Sequence, residues 1–404
     1  MRSEWITSTI DDICKLVTDG AHNSPKSVDN GYYMASVKDF TAYGFDFSNC
    51  RKISEADYLK LKKQGCVPES GDILVGKDGA RYFEDVIIYR QKEQPALLSS
   101  IAILRVDDTK VTSEFLYYTL KSPAVKKDVR DNYGSGSAIP RIVLKDFKRM
   151  PISFPSLKEQ KKITNICVLL DEKIQLNNRI NKNLEQQAMA IFNNAIEQSK
   201  SVTYVELGSL ADVKGGKRLP KGANLMSIPN SHPYIRVRDL NDVVFASLSA
   251  NYEYVDDETQ KTISRYITTT DDVLISIVGT IGLTAIVDKS LNMANLTENC
   301  VKVTNLHGIS PEYLLLYLRS QHGSEEIKKG TVGAVQAKLP IKNIQALSVP
   351  LLPQSDLQSL NDTLKVLFNQ LSINVAESKC LTDIRDSLLP KLMSGELDVS
   401  NLDL

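Results

Sequence analysis

The chain of 404 residues has no excess charge of either sign: 49 Lys+Arg meet 49 Asp+Glu, for a formal net charge of zero. That balance excludes a blanket, sequence-blind binder of polyanions, which carries a basic excess. A local basic face stays compatible with it. Six cysteines (Cys14, Cys50, Cys66, Cys167, Cys300 and Cys380) are scattered without a CxxC pair. Their spacing argues against zinc and dithiol chemistry and fits a reducing compartment. No apolar run approaches the length of about 18 residues that a membrane span needs, and the opening MRSEWITSTIDD lacks the apolar stretch of a signal peptide. No metal site and no bound cofactor is expected.

Catalytic signatures are missing as well. No GxxxxGK[ST] phosphate loop exists, and Gly215-Gly216-Lys217-Arg218 lacks its spacing. The four histidines, His22, His232, His307 and His322, show no HExxH or similar ligand spacing. GSGSAIP (134–140) lacks the GxSxG arrangement of a hydrolase elbow.

What the chain does have is a duplication. SVKDF (36–40) pairs with RVRDL (236–240), GDILVGKDG (71–79) with DDVLISIVG (271–279), EFLYYTLKS (114–122) with EYLLLYLRS (312–320), and MPISFPSLKEQ (150–160) with SVPLLPQSDLQ (348–358). The offset stays near 197–200 throughout. Two copies at so long a period make two domains of one fold, not a solenoid.

Within the first copy, 1–152, short β-rich runs such as Asp72–Val75, Val86–Tyr89 and Ile101–Val106 alternate with turn clusters. A helix is expected over Ser113–Lys121, with Ser113 as its cap. The second copy, 202–350, repeats the order with strands at Ile235–Arg238, Val273–Val278, Leu283–Val287 and Cys300–Val303 and a helix at Pro311–Ser320. The fold class is mixed α/β.

Each copy is followed by a long helical segment, 153–201 and 351–404. Ser156 with Glu159, and Ser355 with Gln358, read as capping boxes. Each helix then runs about 35–40 residues, some 50–60 Å, the second until Pro390. Their apolar seams match at an offset of 197: Ile163 with Leu360, Cys167 with Leu364, Leu170 with Leu367, Ile174 with Leu371, Leu184 with Leu381, Ile191 with Leu388. Steps of three and four residues give one apolar face, so an antiparallel coiled coil with pseudo-two-fold symmetry is expected. Asn177 and Asn374 interrupt the two seams at matching positions. Either both amides meet inside the pair and select its register, or both face solvent.

This order of domain, helix, domain, helix resembles the specificity subunit of type I restriction-modification enzymes. GDILVGKDGARY (71–82) and DDVLISIVGTIG (271–282) are similar to that family's "GDIL…G" segment, ISFPSLKEQKKI (152–163) and VPLLPQSDLQSL (349–360) to its Pro-rich junction, and LLPKLMSGELDV (388–399) to its usual ending. The second junction departs from the pattern, with Asp356-Leu357-Gln358 where the first has Lys158-Glu159-Gln160. The resemblance implies a non-catalytic subunit of the bacterial or archaeal cytoplasm. Each domain would read one half of a split, asymmetric duplex DNA site, and the helices would set the unread spacer and dock two modification subunits. Those partners would carry S-adenosylmethionine, and restriction subunits would bring ATP and magnesium. Two rival readings compete: a scaffold holding two partner proteins on a helical ruler, and a methyltransferase. For the latter, Ser231-His232-Pro233-Tyr234 is a poor version of the (D/N)PP(Y/F) loop, with His232 where Pro belongs; a turn before a strand is the plainer reading.

Affinity for DNA comes from Lys and Arg on phosphates, and specificity from side chains that reach base edges. In the first domain the loop Asp19–Lys26 offers His22, Asn23 and Lys26; Lys38 follows a strand, and Lys77 and Arg81 lie in a Gly-containing segment. In the second, Lys214, Lys217, Arg218 and Lys221 crowd a Gly-rich loop, Arg236 and Arg238 flank Val237 on one strand face, and Ser276 and Thr280 align with Lys77 and Arg81. The segments Ser135–Arg141 and Thr331–Lys338 also correspond and offer Arg141, Gln336 and Lys338. Tyr117, Tyr118, Tyr313 and Tyr317 fall at core spacing on helices and do not form a stacking platform.

Overall fold

The computed structural model describes residues 5–79, 81–134, 141–333 and 336–399. They fall into two compact units, Met1–Gln175 with Ser378–Leu404, and Leu176–Glu377.

The first unit is built on an antiparallel sheet in the order Cys14–Asp19, Ile101–Val106, Ile73–Gly76, Val86–Ile88. Ile73, Leu74 and Val75 are all buried, so this strand is covered on both faces, which is why it reads as a continuous apolar run and not as an alternation. A smaller sheet pairs Tyr32–Ala35 antiparallel with Lys52–Ile53 and parallel with Ala96–Leu97. Ile6–Thr9 pairs antiparallel with Pro151–Phe154, closing the domain just before its long helix. The helix Ser113–Lys121 forms where expected, but its cap is Thr112, whose Oγ1 accepts the Phe115 N–H at 3.2 Å. Ser113 instead donates to the Gly71 carbonyl at 2.8 Å. Tyr117 and Tyr118 are buried.

The second unit repeats the plan with Asp212–Gly215, Cys300–Thr304, Val273–Ser276 and Thr284–Val287, to which Phe245–Ala246 adds a parallel edge. Its small sheet is Glu253–Tyr254, Pro233–Ile235 and Asn295–Leu296. Ser310 caps the helix Pro311–Arg319, and Tyr313 and Tyr317 are buried on it. The strand expected to reach Arg238 stops at Ile235, because the Asp239 carboxylate takes the Arg236 N–H at 2.8 Å and turns the chain into a 3-10 helix over Val237–Leu240.

The long helices are Leu157–Gln198 and Gln354–Met393, and each gives one part to each unit. In the first unit the parts run antiparallel: Asp171 pairs with Arg385 at 2.6 Å, while Ile163 and Cys167, earlier in one helix, share a core with Leu389 and Leu392, later in the other. In the second, Asn181 meets Asn374 and Asn177 meets Glu377, again in opposite senses. Both seam amides are buried: the Asn177 amide donates to the Asn374 carbonyl at 3.5 Å, and the Asn374 amide to Asn181 Oδ1 at 2.9 Å. Of the other seam residues, Ile174, Leu360, Leu364 and Leu371 are each buried, and Leu170, Leu184, Leu367, Leu381 and Leu388 are half-buried. Ile191 is a correction: it is exposed, and Phe192 beside it fills the core, four residues on from buried Ala188. The second helix also runs through Pro390 to Met393.

The two helix starts differ. The Ser156 carbonyl and hydroxyl both accept from Glu159 N–H, as a cap does. At the second start the Pro353 carbonyl takes the matching bonds from Asp356 and Leu357, so Ser355 lies inside the first turn and no second box forms. Gln160 is fully buried and bonds the Lys110 carbonyl and the Thr112 N–H, both at 2.9 Å. Leu357 occupies its place in the second helix, and Asn361, one turn on, bonds the matching Gly308 carbonyl and Ser310 N–H.

Candidate nucleic-acid interface

In the first unit three segments meet at one end of the main sheet. Ala102 lies opposite Asp19 and Ile101 opposite Gly76, so the strands Cys14–Asp19 and Ile73–Gly76 end at the same edge. The loop 20–26 leaves from one and the loop 77–85 from the other. Arg141 joins them through a β-bridge to Asp78, and the Ile142 N–H reaches the Lys77 carbonyl at 3.0 Å. Residues 135–140 of the Ser135–Arg141 segment lie outside the described residues.

The side chains there divide by role. Lys77 is a correction: it is buried, with Nζ 3.4 Å from Asp19 and 3.6 Å from Asp78, and does not face outward to a phosphate. His22 is exposed and bonds Asp19 at 3.2 Å; Arg81 is exposed and pairs with Asp85 at 2.7 Å. Asn23, Lys26 and Arg141 are exposed, as is Lys38 in the 3-10 turn Val37–Asp39. The loop faces the helix Glu55–Lys63 across a cleft of about 480 Å³, lined by His22, Asn23, Lys60 and Gln64. Lys60 and Gln64 were missed in the sequence, where the basic last turn of that helix was the available signal.

The second unit assembles the matching segments. The loop after Gly215 carries Lys217, Arg218 and Lys221; the segment after Ser276 approaches Lys338 through the Val278–Lys338 bridge; and the Leu339 N–H bonds the Ile277 carbonyl at 3.0 Å. Residues 334 and 335 lie outside the described residues. Lys214 is exposed and pairs with Asp212 at 3.0 Å. Lys217 stands 5.5 Å over the Tyr266 ring, and Arg218, 80% exposed, binds Glu298 at 2.6 Å. Lys221, Gln336 and Lys338 are exposed. Arg236 and Arg238 converge on Glu253 from a cap and a 3-10 helix, not from one strand face; Arg238 is 3.3 Å from it and Arg236 pairs with it too. His232 bonds Asp257 at 2.9 Å in a turn before the strand Pro233–Ile235.

Two glycines fix these loops. A Cβ on Gly20 would lie 2.3 Å from the Leu97 carbonyl oxygen, and one on Gly216 2.0 Å from that of Thr297. Only a residue without a side chain lets the loop cross so near the neighbouring strand. The equivalence of the two domains is also set by backbone bonds and not by the alignment of words. Lys77 N–H bonds the Ser100 carbonyl and Ile277 N–H that of Asn299, so the counterpart of Lys77 is Ile277, and Ser276 matches Gly76.

Charge at the second site is compensated locally. The Arg218 guanidinium is held above its ordinary pKa by its hydrogen bond to Glu298. Burial raises Asp239 to about 6, against the opposing pull of Arg238. Among the described residues no group of His, Cys, Asp and Glu is arranged to hold a metal ion.

The family model described as "Type I restriction modification DNA specificity domain" matches residues 2–186 and again 199–381. The chain is 24% identical over 315 residues to the type I restriction enzyme MjaIX specificity subunit of Methanocaldococcus jannaschii, covering 72% of this chain and 71% of that one. A putative type I restriction enzyme specificity subunit of the same organism, MjaX, is 21% identical over 98% of this chain and 94% of its own. The type I restriction enzyme HindI specificity subunit of Haemophilus influenzae is 20% identical, over 81% and 87%. The crystal structure of a type I restriction-modification S subunit from M. genitalium shares the fold with a TM-score of 0.55 at 18% identity, covering 97% and 96%.

Proposed function

Because the chain belongs to the family of type I restriction-modification DNA specificity domains and carries two copies of that domain, we propose that each copy reads one half of a bipartite, asymmetric duplex DNA site with its three-segment loop cluster. The protein is the recognition component of such a system and not its catalytic subunit. One observation carries the split-site reading: two clusters share a backbone scaffold and differ in nearly every outward side chain, as expected of two readers of different sequences. Exposed cations at Lys26, Arg141, Lys221 and Lys338 supply phosphate contacts and steep salt dependence.

The helices set the number of unread base pairs and dock two modification subunits. Leu169 and Val366 are 52% and 69% exposed, Leu176 and Ile373 49% and 61%, at matching positions seven residues apart on each helix. Such apolar residues on an outer helix face fit a protein partner. S-adenosylmethionine then resides on the modification subunits, and ATP and magnesium on restriction subunits. The described helices include none long and apolar enough to cross a membrane.

The test is to map methylated adenines genome-wide with and without this chain in cells that hold its partners. A split motif that vanishes with the deletion supports the reading. Methylation that stays unchanged when the chain is removed, in cells where the modification subunit is active, overturns it in favour of a scaffold.

A further inference from the structure

Backbone hydrogen bonds superimpose the two domains residue by residue at the loop cluster. The N–H of Ala21 bonds the Leu97 carbonyl at 2.7 Å, as that of Lys217 bonds Leu296 at 2.8 Å. The N–H of Leu98 reaches Ala35 O as that of Thr297 reaches Ile235 O. Arg51 lies opposite its strand partner as Glu253 does, since Met34 N–H bonds the Arg51 carbonyl and Tyr234 pairs with Glu253. Ser36 and Arg236 open the two 3-10 turns, each bonded by the Asp three residues on.

The side chains on this common frame are unlike. His22 is replaced by Arg218 and Ser99 by Glu298. Ser36 gives way to Arg236, and Arg51 to Glu253. In the second domain these changes are mutually paired: Arg218 with Glu298 at 2.6 Å, and Arg236 and Arg238 with Glu253. The two groups are neighbours, because Glu298 follows Thr297 and Arg236 follows Ile235 on adjacent parallel strands. In the first domain Arg51 instead ties down its own loop, with bonds to Ser24 Oγ at 2.6 Å and the Pro25 carbonyl at 3.1 Å.

We propose that Glu253 and Glu298 are specificity-determining residues of the second domain, acting as positioning residues that aim Arg238 and Arg218 at base edges in the major groove, while Arg236, whose Nε and Nη2 are buried, holds Glu253 in place. An arginine already paired with a carboxylate gains little from a phosphate, so it adds little sequence-blind affinity. Its guanidinium fork is held in one direction, and the acceptor pair it fits best is guanine O6 and N7. The second domain therefore reads a guanine-containing half-site, and the first, with Ser36, Lys38 and Ser99 on the same frame, reads another. The inference rests on the recognition role proposed above.

The test is selection from a randomised duplex by the purified complex of this chain with its modification subunits. Wild type is compared with Glu253→Gln, Glu298→Gln and, in the first domain, Ser99→Glu. The two glutamine variants are expected to lose discrimination by about tenfold or more at one or two positions of one half-site, with the other half-site and the spacer unchanged. Ser99→Glu changes only the opposite half-site. The proposal is overturned if the glutamine variants select the wild-type motif, with or without a uniform drop in affinity, or if their changes fall in both half-sites. A variant that binds no duplex at all while unfolding at the wild-type temperature also overturns it. If a glutamine variant unfolds early, Glu298→Asp and Glu253→Asp take its place, with the same criteria. Wild-type complex that selects no motif would sink the recognition role itself, a separate outcome.

Discussion

At the scale of single residues, the loop cluster depends on what is absent at two positions. Gly20 and Gly216 directly follow matching strands, and in each a Cβ would press on carbonyl oxygens of the segment alongside, those of Leu97 and Leu98 or of Leu296 and Thr297. Those contacts are backbone, which cannot swing aside as a flexible side chain does. Gly216→Ala is expected to displace the loop carrying Lys217 and Arg218, lower stability by about 1–3 kcal/mol and weaken binding of the second half-site only. Thermal unfolding together with competition by duplexes altered in one half-site checks it; an unchanged transition and unchanged binding would show that the loop tolerates the shift. The same scale explains a misreading. Lys77 stands in a Gly-containing segment that offers it as a DNA contact, yet its ammonium is buried against Asp19 and Asp78. Nothing in one sequence reveals that a lysine turns inward to meet a carboxylate nearly 60 residues earlier.

At the scale of elements, each domain sits on its helix pair through a different chemistry. In the first unit Asp171 accepts from Arg385 and from the Tyr118 hydroxyl, both at 2.6 Å, and the acid and the arginine are largely buried. The corresponding positions of the second unit hold Phe368, Ala188 and Leu316, all buried in one apolar core. Breaking a buried pair by removing one partner leaves a charge uncompensated, whereas replacing both by apolar groups is often neutral. Arg385→Ala alone is therefore expected to cost about 3–5 kcal/mol. The double change Asp171→Phe with Arg385→Ala, which copies two of those three positions and leaves the Tyr118 hydroxyl without its acceptor, should recover part of that loss. Chemical denaturation of the single and double variants decides it, and a double variant as unstable as the single one would mean the ion pair does more than fill its site. The helix starts show a similar exchange, since Gln160 and Asn361 satisfy the same loop amide and carbonyl from positions one turn apart. Matching the two junctions residue for residue misses this, because a helix can present the same group from a neighbouring turn.

At the scale of the whole molecule, the zero net charge acquires a reason. Many of the cations at the candidate interfaces are matched by their own carboxylates, among them Arg81 with Asp85, Lys214 with Asp212 and Arg218 with Glu298. A recognition protein built this way adheres weakly to arbitrary DNA. If the long helices act as the ruler, a matched insertion of seven residues beside Asn177 and Asn374 keeps the seam in phase and lengthens the pair by about 10 Å. That corresponds to about three base pairs of added spacer. Mapping of methylated sites should show both half-sites intact and the gap widened; altered half-sites would remove the ruler from the account.

The duplication, the helices, the matched seams and the matching positions of Asn177 and Asn374 were legible in the residues themselves, because they rest on local periodicity and on repetition at a constant offset; that both amides are buried between the helices was left open there and came from the structure. Also legible was the neighbourhood of the loop clusters, since glycine and basic residues mark turns near strand ends. Tertiary structure alone decided which side chains face outward. Lys77 turned in, Ile191 ceded the core to Phe192, and Arg236 and Arg238 left their strand to converge on Glu253. The physical reason is that a pattern of types constrains a backbone through short-range rules, while the pairing of a charge depends on partners brought near only when distant strands align.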